Sequence, residues 1–155
     1  MSRIADETGQ APLIGALLRL AGQGLQQRLS TWIAESGYEG IQPAHSAVIQ
    51  PLWQSPEGLR ITELARSSRI TKQSMSALDA ELDAAGYIAR VADPDDARAI
   101  RIRLTAQGRR YVSDVRALSR QVEKEWAAEI GARRLEDVRE ALQLLLTNVL
   151  KVDES

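Results

Sequence analysis

The stretch that decides the fold runs from Gly58 to Gly108 and reads GLRITELARSSRITKQSMSALDAELDAAGYIARVADPDDARAIRIRLTAQG. At its centre a helix is predicted over Lys72–Ala85. Thr71 stands just before it as an N-cap, its hydroxyl able to accept one of the unpaired N–H groups of the first turn. Met75, Leu78 and Leu82 fall at i, i+3 and i+7 and form one apolar stripe. The opposite face carries Lys72, Gln73, Ser76, Ala77 and Ala80, residues that are small or bear hydrogen-bonding groups. Gly86 suits a left-handed cap at the helix end. Upstream, Leu59 and Ile61 suggest a short apolar strand. Thr62 is placed as the N-cap of a helix through Glu63, Leu64 and Ala65 that breaks at Arg69-Ile70.

Downstream, Tyr87-Ile88-Ala89-Arg90-Val91 reads as a strand. Ala99 to Leu104 alternates strictly, with Ile100, Ile102 and Leu104 on one face and Arg101 and Arg103 on the other. Asp93-Pro94-Asp95-Asp96-Ala97-Arg98 between them is rich in turn formers. Helix, turn, helix and then a hairpin with a charged tip is the layout of a winged helix-turn-helix. The fold class expected is therefore mainly α, with a small β-hairpin wing. A helix face that is small and carries donors fits a major groove, where it must approach base edges closely.

The residues also carry a family resemblance. Asp93-Pro94-x-Asp96-x-Arg98-Ala99 followed by Leu104-Thr105-x-x-Gly108 resembles the wing signature of the multiple-antibiotic-resistance regulator (MarR) family. Thr62-x-Leu64-Ala65 and Leu82-x-x-x-Gly86-x-Ile88-x-Arg90 match the same pattern, and the resemblance covers nearly the whole chain. One departure is Ala97, where the family usually has a second basic residue; Arg98 is then the lone arginine at the wing tip.

The resemblance implies a homodimeric regulator that binds double-stranded DNA at a pseudo-palindromic operator, most readily a repressor released by a small aromatic or phenolic effector. It implies one unit over 1–155, with 12–36 and 105–151 as dimerisation helices and 43–104 as the DNA-binding region. The DNA-contacting set would be Thr71, Lys72, Gln73, Ser74, Ser76, Ala77, Asp96, Arg98 and Arg101. Lys72 could serve a phosphate or a guanine edge, and Gln73 offers the paired donor and acceptor that suit adenine. Arg98 would enter or line the minor groove, with Asp96 holding it through a short ion pair. Arg101 and Arg103 would approach phosphates or face solvent. Trp32, Tyr38, His45, Trp53 and Tyr111 lie on or beside the helices that form the effector cleft in this family; each is also a candidate for ordinary core packing.

Composition agrees with these expectations. The chain has 155 residues, 44% of them hydrophobic, which suffices for one ordinary core. Residues 60–110 hold ten Lys/Arg against seven Asp/Glu, a local +3, while the rest is −4 and the whole −1. A basic segment on an acidic chain is the footprint of a phosphate-binding face. Cysteine is absent, which excludes disulfides, thiolate metal sites and thiol-based redox sensing, and fits the cytoplasm. With one histidine and no glycine-rich phosphate loop after a strand, no enzyme, metal site or cofactor is expected. No membrane association is expected either: no apolar run is long enough to span a bilayer, and the charges before Ala11–Leu18 are wrong for a signal peptide. The rival from another class is a winged-helix protein-interaction module that has lost DNA binding.

Around the central stretch, residues 1–11 read as a loose terminus. Leu13, Leu17, Leu20, Leu25, Leu29 and Trp32 make a long amphipathic helix over Pro12–Ser36, with Pro12 as its first residue and Gly37 as its cap. Gly15, Gly22 and Gly24 weaken that helix, so it is expected to rely on packing against a partner. A second helix begins near Pro43, and Pro51 inside it should kink or end it. Thr105 should cap a helix reaching about Ile130. After Gly131 a last, leucine-rich helix carries Leu135, Val138, Leu142, Leu145, Val149 and Leu150. So much apolar surface implies an interface.

Overall fold

The computed structural model describes residues 11–94 and 96–152. The terminus expected over 1–11 lies, except for Ala11, outside them, as does Asp95 of the wing loop and the side chains of Val149 and Leu150. The chain divides into two compact units, residues 1–115 and 116–155.

The first unit opens with α1 (Ile14–Glu35), which starts two residues after Pro12 and has Leu13 in the N-cap position. None of its residues is fully buried; Trp32 and Ile33 pack half-buried against the core. A 3-10 turn at Pro43–His45 leads into α2 (Ser46–Gln54), so the proline opens a tighter turn than the expected α-helix start. Pro51 neither ends nor breaks α2. Its missing N–H would have bonded the carbonyl of Ala47 four residues back. That oxygen instead accepts the Ser68 hydroxyl at 2.5 Å, so the second helix is bridged to the third at the point where its own ladder fails.

Helix α3 (Ile61–Ser67) begins earlier than the sequence suggests. Arg60, not Thr62, is the N-cap, and the Glu63 carboxylate reaches back to accept the Arg60 N–H at 2.7 Å, the returning half of a capping box. The expected strand at Leu59 and Ile61 shrinks to a single bridge between Leu59 and Ile102. Helix α4 (Lys72–Ala84) is capped by Thr71, whose hydroxyl accepts Ser74 N–H at 3.1 Å, and Gly86 takes the left-handed conformation after it, at φ 80°. The apolar stripe works as expected: Met75 and Leu82 are fully buried and Leu78 packs against them.

The hairpin is longer than its two predicted runs. β1 (Ile88–Asp93) and β2 (Asp96–Leu104) pair antiparallel, Ile88 opposite Leu104 and Ala92 opposite Ile100, with a register shift at Ala92/Asp93. Most of the expected turn segment is therefore strand. Tyr87, read as strand, instead turns into the core, fully buried, with its hydroxyl donating to the Glu39 carbonyl at 3.0 Å. Ile102 and Leu104 are buried, but Ile100 is 56% exposed because it lies beyond the edge of the core, towards the wing tip.

Thr105 caps α5 (Ala106–Ile130) as expected: its hydroxyl accepts Gly108 N–H at 3.1 Å and donates to the Gly86 carbonyl at 2.7 Å. The glycine of the wing signature has a steric reason. A Cβ on Gly108 would stand 2.1 Å from the Tyr87 carbonyl oxygen, so no larger residue lets the helix come this close to the start of the hairpin.

The second unit holds the rest of α5 and α6 (Ala132–Val152), joined through Gly131. Arg139 ties the two helices, reaching Glu123 and Glu136 at 3.0 Å each. No helix among the described residues is long and apolar enough to cross a membrane.

Candidate nucleic-acid interface

The exposed face of α4 is the one the sequence indicates. Lys72, Gln73, Ser74, Ser76, Ala77 and Ala80 are all exposed, while the opposite face is held by the buried core stripe. Thr71 and Ser74 also share a hydroxyl–hydroxyl contact of 2.9 Å, which orders the first turn of the helix.

An ion pair absent from the sequence reading fixes this helix to the wing. Asp79, on α4 and 3% exposed, bonds the Arg90 guanidinium of β1, which also lies 3.5 Å from Asp83. The bond to Asp79 raises the Arg90 pKa, so the guanidinium holds its proton firmly. Both residues stand in quoted segments, but nothing in either segment marks them as partners.

The base of the wing is organised by Asp93, also missed as a functional residue although it opens the wing signature. Its side chain is fully buried, and one carboxylate oxygen receives Arg60 Nε at 2.8 Å and Arg60 Nη2 at 2.7 Å, with Arg101 Nε 3.1 Å away. Two guanidiniums on one buried carboxylate supply the compensation that its desolvation demands. The hydrogen bond to Asp93 raises the pKa of Arg60. Arg101 is thus turned towards the wing base and 23% exposed, away from the phosphate contact or solvent expected of it. Arg103 pairs with Glu57, bonding its carboxylate and its carbonyl at 2.7 Å each.

At the tip, Asp96 acts differently from the expected Asp96–Arg98 ion pair. Its Oδ1 accepts the backbone N–H of Arg98 at 3.1 Å, and its Oδ2 lies 3.8 Å from Arg60. The carboxylate therefore binds the Arg98 backbone, while the Arg98 side chain is exposed.

The five candidate effector residues do not share one setting. Trp32, Tyr38 and Tyr111 come together with Tyr87 in a chain of ring contacts, centroids 5.2–6.4 Å apart. The Tyr38 hydroxyl donates to Asp114 at 2.5 Å, which raises the tyrosine pKa. Burial pushes Tyr111 up to about 12. His45 is 1% exposed: Nδ1 accepts the Gln42 N–H at 3.0 Å, so Nε2 carries the proton that faces Glu81 at 2.9 Å. That pairing makes it a tie between the turn before α2 and helix α4. Trp53 lines a cavity of about 310 Å³ with Leu52, Pro56, Leu104 and Arg109. Among the described residues, no group of three or more His, Cys, Asp or Glu is placed to hold a metal.

Comparison with known proteins follows the same lines. The MarR family model matches residues 39–99. The HTH-type transcriptional repressor Rv2887 of Mycobacterium tuberculosis is 30% identical over 142 residues, covering 92% of this chain and 96% of that protein. A MarR transcriptional regulator from Methanosarcina mazei Go1 superposes with a TM-score of 0.73 at 20% identity, over 90% of this chain and 97% of its own. A mutant of S. aureus MepR bound to an oligodeoxyribonucleotide gives 0.63 at 19% identity, over 89% and 99%. At such identities the structural matches speak for the winged-helix fold, while the repressor carries the relationship in sequence along nearly the full length. With α4 exposed on its polar face and the wing built as the signature requires, the chain belongs to the MarR family of transcriptional regulators.

Proposed function

We propose that this regulator is a homodimeric repressor that binds pseudo-palindromic duplex DNA and is released by a small molecule. The observation that carries the DNA reading is the exposed face of Lys72, Gln73, Ser76 and Ala77, held rigid by Thr71 at its start and by the Asp79–Arg90 pair behind it. Residues 43–104 form the reading part. Within it Lys72 takes a phosphate or a guanine edge, Gln73, Ser76 and Ala77 lie against base edges, and Arg98 lies in the minor groove. Asp96 orders the wing tip, and Arg101 serves by holding Asp93. The oligonucleotide-bound MepR neighbour and the repressor named among the relatives support this assignment.

Residues 12–36 and 105–151 supply the dimer. Support comes from apolar side chains that one chain leaves uncovered: Leu13 is 82% exposed, Ile14 69%, Leu144 67% and Leu146 61%. A two-fold dimer sets two recognition helices about 34 Å apart, one turn of DNA. A ligand that changes this spacing lowers DNA affinity by its preference for the altered state. The cavity at Trp53 is the effector site of this reading, with apolar walls and one guanidinium, from Arg109, suited to a small aromatic or phenolic molecule. The protein acts in the cytoplasm, consistent with a chain that lacks cysteine.

A second reading, a winged-helix protein-interaction module, draws on Arg101 and Arg103 being engaged by Asp93 and Glu57 within the chain. A gel-shift with the duplex upstream of the protein's own gene, at low and physiological salt, separates the two. Salt-sensitive binding that prefers this duplex over a scrambled one is expected. Absence of a shift at either salt concentration would favour the interaction module.

A further inference from the structure

Two helices of the first unit end in the same hydrogen-bonded turn. After α4, Gly86 N–H reaches Asp83 O and Tyr87 N–H reaches Leu82 O, each at 3.0 Å, with Gly86 left-handed at φ 80°. After α3 the pattern repeats: Arg69 N–H reaches Arg66 O at 3.2 Å and Ile70 N–H reaches Ala65 O at 3.1 Å. These paired bonds are the Schellman closure, whose left-handed position is ordinarily glycine because a Cβ there crowds the backbone. The left-handed residues that follow α1 and α5 are also glycines, Gly37 and Gly131. At the end of α3 the position is Arg69, at φ 53°, the only non-glycine with positive φ among the described residues.

A glycine at 69 would keep both bonds and the packing of Ile70 against the core without the strain. What the arginine adds is its side chain. It is exposed, three residues after exposed Arg66 and three before Lys72. From Leu64 to Leu78 the chain carries these three cations and no carboxylate. The turn that holds Arg69 leads directly into Thr71, the cap of α4, so its charge lies at the end of the recognition helix that must come nearest a DNA strand. A guanidinium presents paired N–H groups in the fork geometry that matches a phosphate.

We propose that Arg69, seconded by Arg66, is a phosphate clamp on the DNA strand that borders the groove entered by α4. The proposal rests on the DNA-binding reading above. It goes past that reading by giving the α3–α4 turn a backbone contact outside the recognition-helix face and the wing, and by explaining why strain is kept at this position.

The test uses the full-length protein with Arg69→Gly, Arg69→Asn and Arg69→Lys. Binding is titrated at several salt concentrations against the duplex upstream of its own gene and a scrambled duplex of equal composition. Glycine and asparagine both accept the left-handed conformation, so these variants should fold as the parent does. They should bind both duplexes roughly tenfold more weakly at physiological salt, and the slope of log affinity against log salt should flatten by about one unit per lost contact. Arg69→Lys should keep the parent slope. Neutral variants with the parent affinity and slope overturn the proposal. So does a lowered melting temperature with an unchanged slope, which would make Arg69 only a cation at a helix C-terminus. A parent that binds neither duplex overturns the DNA reading and the clamp with it; a parent that binds, beside neutral variants that match it, overturns the clamp alone.

Discussion

The winged part and the terminal helices treat the same kind of residue in opposite ways. In the winged part Leu52, Leu64, Met75 and Leu82 are at most 2% exposed, and Tyr87 and Ile102 close the core around them. On α1 and α6, Leu17, Leu20, Leu144 and Leu145 are 41%, 43%, 67% and 52% exposed. Leucines buried within one chain stabilise that chain whatever its concentration. Leucines left bare contribute only when a second surface covers them, so their share of the stability depends on association. The contrast separates a part whose apolar core closes within one chain from helices that leave apolar side chains uncovered.

The largest expected effect breaks the second half of that contrast. Leu145→Glu places a charge in the bare stripe of α6 and should convert a dimer into single chains, with operator binding lost. Light scattering at micromolar concentration should give twice 17.1 kDa for the parent and a mass near 17.1 kDa for the variant. A parent already at the lower mass would end the dimer reading. Next comes the first half. Leu82→Ala removes a fully buried side chain and should cost about 2–5 kcal/mol in urea unfolding. The unfolding midpoint should still depend on protein concentration in Leu82→Ala and should lose that dependence in Leu145→Glu.

Asp93→Ala is expected to cost about 2 kcal/mol, because it strips two guanidiniums of their common carboxylate at the wing base. Part of that network is open to water, since the Arg60 side chain is 40% exposed, which holds the cost below that of a fully buried pair. Its signature is loss of the hairpin's amide protection from hydrogen exchange while the core helices keep theirs. The smallest effect concerns Tyr111, whose pKa burial raises to about 12. A raised phenol pKa means that the unfolded chain releases its proton first. The stabilisation is therefore complete below about pH 10 and is lost as pH climbs towards 12. Melting temperature followed across that range should fall less steeply in Tyr111→Phe than in the parent. Equal slopes would mean that the buried phenol does not contribute.

Local order was readable from the sequence where a side chain's fate is set by its own periodicity. Met75, Leu78 and Leu82 on α4, the alternation of Ile102 and Leu104, and the cap at Thr105 all follow from spacing alone. The start of α3 is not legible in the same way, because threonine is the more usual cap, whereas here Glu63 satisfies the Arg60 N–H from inside the helix. Long-range pairs were not readable. Arg60 and Asp93 are 33 residues apart, and only the folded hairpin shows that Asp93 turns inward. The candidate effector residues share neighbouring helices in the sequence, and helix membership does not determine which rings face one another. Trp32, Tyr38 and Tyr111 meet as rings, whereas His45 pairs with Glu81 and Trp53 lines a cavity.

The bond from Ser68 to the Ala47 carbonyl makes one residue conditional on another. Ser68 matters to α2 only while Pro51 withholds the N–H that would otherwise serve that oxygen. Restoring the donor with Pro51→Ala gives Ala47 a second partner, and the hydroxyl then becomes dispensable. In a double-mutant cycle, Ser68→Ala should therefore destabilise the parent by about 1 kcal/mol and the Pro51→Ala background by markedly less. Related chains that carry another residue at position 51 are released from the need for a hydroxyl at 68, so the two positions should vary together.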